Sequence, residues 1–500
     1  MKKTIVAIIT TLIAITGNTQ AQTPVRAHPQ NPYILEFRNQ PTIAGTFAES
    51  YDSVRDKYRE FTTYLDVLKR DGMNHTRVWL IGHPLDFDNS APNLIQPWPR
   101  STTGIAAPDG LKKWDFSKWD NAYFTRLKNF VQAASDRGII VELTLFSVLY
   151  DDQEWRDSPY HPTSNLQGYG SSSNRYDPFR QISANAQLQN QLELAARKIV
   201  RELNAFDNIY YEIMNEPFWN QPGVKDLEEA NFHNSMLQAI RDEESGLPNR
   251  HMIAHNFPQQ INNLSTDFDI INEHYPARVP GSTIEGGELL LQNHYSKGKI
   301  LALDESDTTT ATQARLEAWM FFLGGGAIYD GKDAQFVVYT REKPAGDTQL
   351  GSDIRTGIRN AMTYMQQLNL LDLRRNNSWI VSGIPTDAKS QAVKGTKQYA
   401  AYFHHGKSET RNFQLFYDPI DTTNKTITLG VNLDAGSWKV VWTNPSNLSQ
   451  IKTQEIEHGG GNITLQPANY KTDIALKIES IEPVTPIPPP TPPTGLRIVP

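Results

Sequence analysis

From Thr42 to Leu371 the chain alternates between apolar residues at helical spacing and short unbroken apolar runs. Phe61, Leu65 and Leu68 mark one face of a helix over Val54–Arg70. Asp71-Gly72 ends that helix, and the run Asn74–Leu80 reads as a buried strand. The same alternation predicts helices over 123–137, 187–204, 227–244, 286–295, 311–323 and 353–371. Between them fall apolar strands at 139–146, 209–214, 251–255, 268–275, 299–305 and 327–329. Before them, Tyr33–Phe37 reads as a short strand, Arg38–Pro41 as a turn, and Thr42–Phe47 as its partner or as the first of the parallel strands. About eight strands, each followed by a helix, predict an α/β fold, a (β/α)8 TIM barrel. Its enlarged loops would be the Pro- and Asn-rich stretch 83–112 and the polar stretch 147–180. An open doubly wound sheet is the alternative, but no Gly-rich phosphate fingerprint follows the first strand.

After Leu371 the period changes to two. Tyr399–Phe403, Phe413–Tyr417, Thr426–Val431 and Trp438–Trp442 alternate, separated by Asn, Asp, Gly and Pro. About eight short strands over 378–480 predict a small all-β sandwich. It would either bind sugar or brace the barrel. Pro483–Pro493 is an extended, proline-rich run. The organisation expected is an export segment at 1–21, a barrel at 22–375, a β-sandwich at 376–481 and a Pro-rich tail at 482–500.

The first residues narrow the compartment. Lys2 and Lys3 precede an apolar run from Ile5 to Ile15, and Thr19-Gln20-Ala21 supplies a small-residue exit. The run is too short to span a bilayer, so it reads as a cleavable signal and the protein as secreted or periplasmic, with no membrane span. The absence of Cys excludes a disulfide framework and a thiolate nucleophile. A formal net charge of −7 argues against nucleic acid as a partner. Ten Trp, twenty Tyr and twenty Phe suit stacking on the apolar faces of sugars, though such rings also fill cores.

Two strand ends carry the chemistry. Tyr210–Met214 runs into Asn215-Glu216-Pro217, where Pro stops the strand. Lys299–Leu303 runs into Asp304-Glu305-Ser306. A carboxylate at the end of a buried strand is costly unless it has partners or a task. In a barrel these ends are the fourth and seventh, facing each other across the mouth. Glycoside hydrolysis needs such a pair, one carboxyl protonated as acid and one ionised. By the alternation of a strand, Asp304 should point to the opposite face from Glu305.

Asn215-Glu216-Pro217 after an apolar strand, with a strand-end glutamate three units later, resembles the retaining (β/α)8 glycoside hydrolases of clan A, which are cellulase-like and endo-β-glucanase-like. The resemblance implies Glu216 as acid/base, Glu305 as nucleophile and Asn215 on the sugar 2-hydroxyl. It places Arg77 beside Glu305, keeping it ionised, and His274 and Tyr275 near the same site. The strand-eight Trp of the clan is missing, and Tyr329-Asp330 stands there. Ala314–Ala327 followed by a sandwich also resembles exported cellulase-like proteins with a C-terminal immunoglobulin-like domain.

Trp219, Trp155 and Tyr329 are the further candidate substrate contacts, with Asn256 on the fifth strand. No His/acid set has zinc spacing. Asp86–Ser90 lacks the Gly and closing Glu of a calcium loop, so no metal and no cofactor are expected. The function expected is a monomeric endo-β-glycanase acting on a polysaccharide, with β-glucan, β-1,3-glucan included, as first candidate. An exo-acting β-glycosidase on oligosaccharides and a non-catalytic carbohydrate-binding protein are the alternatives. A polysaccharide lyase would instead need a Tyr, His or Lys base beside an acidic sugar.

Overall fold

The computed structural model describes residues 23–481 except 49, 51, 83–92, 181, 218–226, 257–263, 275–285, 307–309, 332–346, 412–413, 421 and 468. The export segment 1–21 and the tail 482–500 lie outside the described residues. Eight parallel strands form one sheet: β1 (Ala44–Thr46), β2 (His75–Trp79), β3 (Ile140–Ser147), β4 (Ile209–Asn215), β5 (Ile253–Asn256), β6 (Ile270–His274), β7 (Ile300–Glu305) and β8 (Ile328–Asp330). Its order runs β1-β8-β7-β6-β5-β4-β3-β2, so the ladders leave one seam, between β1 and β2. Asn74 bridges that seam. Its amide donates to the Ile43 carbonyl at 2.9 Å and accepts from the Gly45 N–H at 2.9 Å. The N–H of Ser50 adds a bond to the Arg77 carbonyl at 2.9 Å. The sheet is thereby closed into a barrel.

The helices are α1 (Thr62–Arg70), α2 (Asn121–Asp136), α3 (Asp152–Asp157), α4 (Ala186–Leu203), α5 (Leu227–Glu244), α6 (Gly286–His294), α7 (Ala311–Leu323) and α8 (Gln349–Gln366). The expected helix after every strand fails once: β5 and β6 have none between them among the described residues. The first helix starts at Thr62 rather than Val54, because the Glu60 carboxylate accepts from the N–H groups of Thr62 and Thr63, both at 2.7 Å. That satisfies orphan donors of the first turn and fixes the start. Strands such as β3 are buried at every position, as parallel strands between a filled interior and a helix layer must be.

Three short antiparallel strands precede the barrel, Arg26–His28, Asn31–Phe37 and Gln40–Thr42. Arg38 and Asn39 turn between the last two, both at positive φ. Val25 and Leu35 from this segment pack with Ile140, Met252, Ile270, Ile300 and Ile328, an apolar cluster at the starts of the barrel strands. Apolar side chains thus fill the barrel's lower end and leave polar ones to the upper end.

The C-terminal part carries eleven strands among the described residues, against about eight expected. A six-stranded antiparallel sheet runs in the order 374–375, 389–394, 398–404, 473–480, 436–443, 450–458. It faces a three-stranded sheet, 380–382, 429–433 and 461–465, across a core of Trp379, Phe403, Val431, Trp438 and Leu476. Its other face, with Ala400, Tyr402 and Ala475, joins the barrel's own core. This explains α7, which is buried on nearly every side and carries apolar residues on both: it is covered by the barrel on one side and this sheet on the other. Trp319 of α7 stacks on Tyr402 at 5.3 Å, and Arg315 makes a bidentate ion pair with Asp473 at 2.9 and 3.1 Å.

Replacing Asn74 with Ala leaves the seam groups of Ile43 and Gly45 without their partner. Chemical denaturation should show a loss of about 1–3 kcal/mol.

Candidate active site

Both glutamates come from strand ends where the alternation of inward and outward side chains breaks. On β4, Glu212 points into the barrel, and so does Asn215, an odd step further on; both bond the same arginine. Glu216 follows with φ of 45°. A non-glycine residue there costs about 1–3 kcal/mol and is held only where its surroundings dictate it. On β7 the pairing with β6 steps from Leu303 opposite Glu273 to Glu305 opposite His274, a bulge that absorbs Asp304. Asp304 keeps the inward direction of Ile300 and Ala302, and the bulge brings Glu305 inward as well. The expectation that Asp304 faces away from Glu305 is therefore corrected: a bulge places two successive side chains on one side.

Arg77, on β2 and fully buried, collects these strands. Its Nη1 donates to Glu305 Oε1 at 2.9 Å. Its Nη2 donates to Glu212 Oε2 at 2.5 Å and Asn215 Oδ1 at 2.7 Å. Its Nε donates to Thr144 Oγ1 at 3.0 Å and lies 3.3 Å from Asp304 Oδ2.

His274 stands between the two glutamates. Its Nδ1 is 3.3 Å from Glu216 Oε1 and 3.3 Å from Glu305 Oε1, and its Nε2 is 3.4 Å from Asp304 Oδ2. One oxygen of Glu216 and one of Glu305 lie within 4.8 Å of each other. Tyr150, from the enlarged loop after β3, donates to Glu216 Oε2 at 2.7 Å and accepts from Asn215 Nδ2 at 2.8 Å. Glu216 and Glu305 keep only 5% and 3% of their surface exposed, so little water shields one from the other.

Beneath the pair lies a layer of further acids. Burial, together with the Asp304 and Glu212 charges, holds Glu142 well above the carboxylate range. Burial also raises Glu212, outweighing Arg77. Asp304 goes the other way: burial opposes its charge, but Arg77 and His274 overcome that and hold it below the usual range. Burial works against a charged His274 too. Glu305, with hydrogen bonds to Asp304 and Glu216, reverses this and lifts it to about 10. His75, next to Tyr210, is pushed down to about 4 by burial. The sets Glu212/His274/Asp304 and Glu216/His274/Glu305 contain metal-binding donor types, but Arg77 already bonds or pairs with Glu212, Asp304 and Glu305.

The structure thus brings together Arg77, Asn215, Glu216, His274 and Glu305. Asn256 also reaches this layer, 2.5 Å from His274 Nε2. Trp219 and Tyr275 lie outside the described residues. Trp155 sits on α3, buried edge-on against His161, and the structure does not bring it to the pair. Tyr329 is turned away from the barrel interior. On β8 it is Asp330 that bonds inward, accepting from the Ala48 N–H, so Tyr329 faces the helix layer. There it packs on Phe321 and Phe322 and donates to Glu317 at 2.9 Å. Sequence reasoning missed the roles of Glu142, Thr144 and Glu212. The signal was present, as polar residues at alternate positions inside the apolar runs of β3 and β4.

A closed parallel barrel carrying two facing glutamates at the ends of its fourth and seventh strands defines a glycoside hydrolase of the retaining class. In agreement, residues 40–276 match the model of the cellulase family (glycosyl hydrolase family 5). That stretch includes Arg77, Asn215, Glu216 and His274 and stops before Glu305. No curated protein matches the chain. Among solved structures, a glycoside hydrolase is similar at TM-score 0.59 and 11% identity, covering 92% of this chain and 97% of its own. A family 5 glycoside hydrolase from Bacteroides vulgatus is similar at TM-score 0.58 and 12% identity, covering 91% and 93%. A putative glycoside hydrolase from the same organism is similar at TM-score 0.59 and 13% identity, covering 93% and 83%. At these identities the structures attest to the fold.

The histidine shifts predict how stability varies with pH. His274 titrates near 10 when folded and near 6.5 when unfolded, so its contribution is full below 6.5 and is lost as pH rises through 10. His75, near 4 when folded, disfavours folding as pH falls from 6.5 toward 4. Denaturant titrations of the wild type and His274→Gln should differ most at and below pH 6.5, with the gap narrowing steadily toward pH 10.

Proposed function

We propose that the protein is an exported endo-β-glycanase that hydrolyses a polysaccharide with retention, Glu216 acting as acid/base and Glu305 as nucleophile. The observation that carries this reading is the separation of the two carboxylates, within 4.8 Å at their nearest oxygens. Retaining enzymes keep the pair about 5–5.5 Å apart; inverting enzymes need about 6.5–9.5 Å to admit a water. The partners also differ: Arg77 Nη1 donates to Glu305, Tyr150 donates to Glu216, and His274 lies 3.3 Å from both.

In the first step Glu305 attacks the anomeric carbon and the glycosidic C–O bond breaks as Glu216 gives its proton to the leaving oxygen. This leaves a glycosyl ester on Glu305 and a carboxylate on Glu216. In the second step Glu216 takes a proton from water, which attacks the same carbon and releases Glu305 as carboxylate. Asn215, bonded to Arg77 and Tyr150, is the residue we assign to the sugar 2-hydroxyl. β-Glucan, β-1,3-glucan included, is the first candidate polymer. Export rests on the charged and apolar N-terminal run and is checked by whether the periplasmic or secreted protein begins at Gln22.

Incubation with a polysaccharide panel should release a ladder of oligosaccharides from one β-linked polymer, with nuclear magnetic resonance showing β-anomers first. A single sugar as the only early product would make it exo-acting, and α-anomers would refute retention. Glu216→Ala should lower turnover of the polymer by about 10²–10⁴-fold, and much less for an aryl glycoside whose leaving group needs no proton.

A further inference from the structure

Asp304 takes no direct part in the two steps above, yet it is fully buried directly under the pair. Its Oδ2 accepts from Asn272 Nδ2, lies 3.3 Å from Arg77 Nε and is 3.4 Å from His274 Nε2. His274 in turn points its other nitrogen at Glu216 and Glu305, equally far from each. An imidazole with carboxylates on both sides is complemented best when both nitrogens carry a proton.

We propose that Asp304 is a positioning residue that keeps His274 an imidazolium, and that this cation follows the negative charge as it passes between Glu305 and Glu216 in the two halves of the reaction. The proposal rests on the roles assigned to those two glutamates. Before attack the charge is on Glu305. In the glycosyl-enzyme it is on Glu216, because Glu305 has become an ester and Glu216 has lost its proton. A cation 3.3 Å from both serves either state without moving, so no reorganisation accompanies the transfer.

The charges around His274 agree with this. Glu216 faces it from the end of β4, and Asp304 and Glu305 face it from β7. Glu212 on β4, when ionised, favours its proton by charge, while Arg77 on β2 opposes it. Around Asp304, His75 stands on the side of Arg77, and Glu142 and Glu212 are acids whose own ionisation Asp304 suppresses. The competing arrangement has the Asn256 amide donating to a neutral Nε2, 2.5 Å away. For an imidazolium the Asn256 oxygen faces the ring instead and accepts from it and from a protonated Glu212. Glu212 is raised by burial toward that protonated state.

Two measurements test the proposal. The first is the pH profile of kcat/KM for Asp304→Asn. With His274 neutral, both glutamates lose a cation 3.3 Å away, so the acidic and alkaline limbs should both move upward by about 1 pH unit. His274→Gln should show the same shift, and the double variant no further shift. If Asp304 acts only as a nearby anion, its removal eases ionisation and moves both limbs down. A downward shift, or reduced activity with unmoved limbs, overturns the proposal. The second needs no substrate and uses the intact wild-type protein. With histidine labelled at Cε1, the resonance missing from His274→Gln should report a charged ring at pH 8. A neutral ring at pH 8 overturns the proposal while leaving the assignment of Glu216 and Glu305 standing.

Discussion

The donors of one guanidinium, that of Arg77, are distributed over Thr144 on β3, Glu212 and Asn215 on β4 and Glu305 on β7, with Asp304 within ion-pair distance. None of its surface reaches solvent. A buried charge of this kind is costly unless the geometry of its partners is good. Here the requirement runs both ways: without Arg77, three carboxylates would be left buried against one histidine. The main chain at Arg77 also takes the Ser50 bond across the barrel's seam. The residue that gathers the acids thus also helps to close the barrel that positions them.

The remaining arrangement distributes protons. More carboxyl groups than cations are buried in the upper barrel, so they cannot all be ionised. Glu142, buried and crowded by the Asp304 and Glu212 charges, holds a proton despite Arg77 on the neighbouring strand, while Asp304, between Arg77 and His274, gives it up. The strained φ of Glu216 belongs to the same design. Tyr150 and His274 grip its two oxygens, and Pro217 ends the strand behind it. A relaxed backbone would carry that carboxyl elsewhere, so strain is exchanged for a fixed distance to Glu305.

Much of this was legible in the chain, for a specific reason. A polar residue inside a buried strand is rare and must have a partner, so Arg77, Asn215, Glu216, His274 and Glu305 stood out from their apolar surroundings. What depended on ladder register did not. The bulge at Asp304 shifts pairing by one residue and inverts the face expected from alternation. Tyr329 was set in the site by its place in the order of strands, whereas its direction follows from Asp330 bonding inward. Trp155 was placed by being aromatic in a long loop, but that loop folds back and buries the ring. Helix α7, lacking a polar face, was legible as a helix, but what covers it depends on a sheet formed by strands up to Ser480.

The central claim is that Glu305 bonds covalently to the sugar while Glu216 serves the leaving oxygen. The direct test uses a 2-deoxy-2-fluoro glycoside, with an activated leaving group, built on whichever oligosaccharide the polymer digest releases. Fluorine slows both steps, the second more than the first when the leaving group is activated, so the ester accumulates. Peptide fragmentation by mass spectrometry should then locate one sugar on Glu305. A label on Asp304 or Glu216, or turnover of the analogue with inversion and no label, would contradict the account.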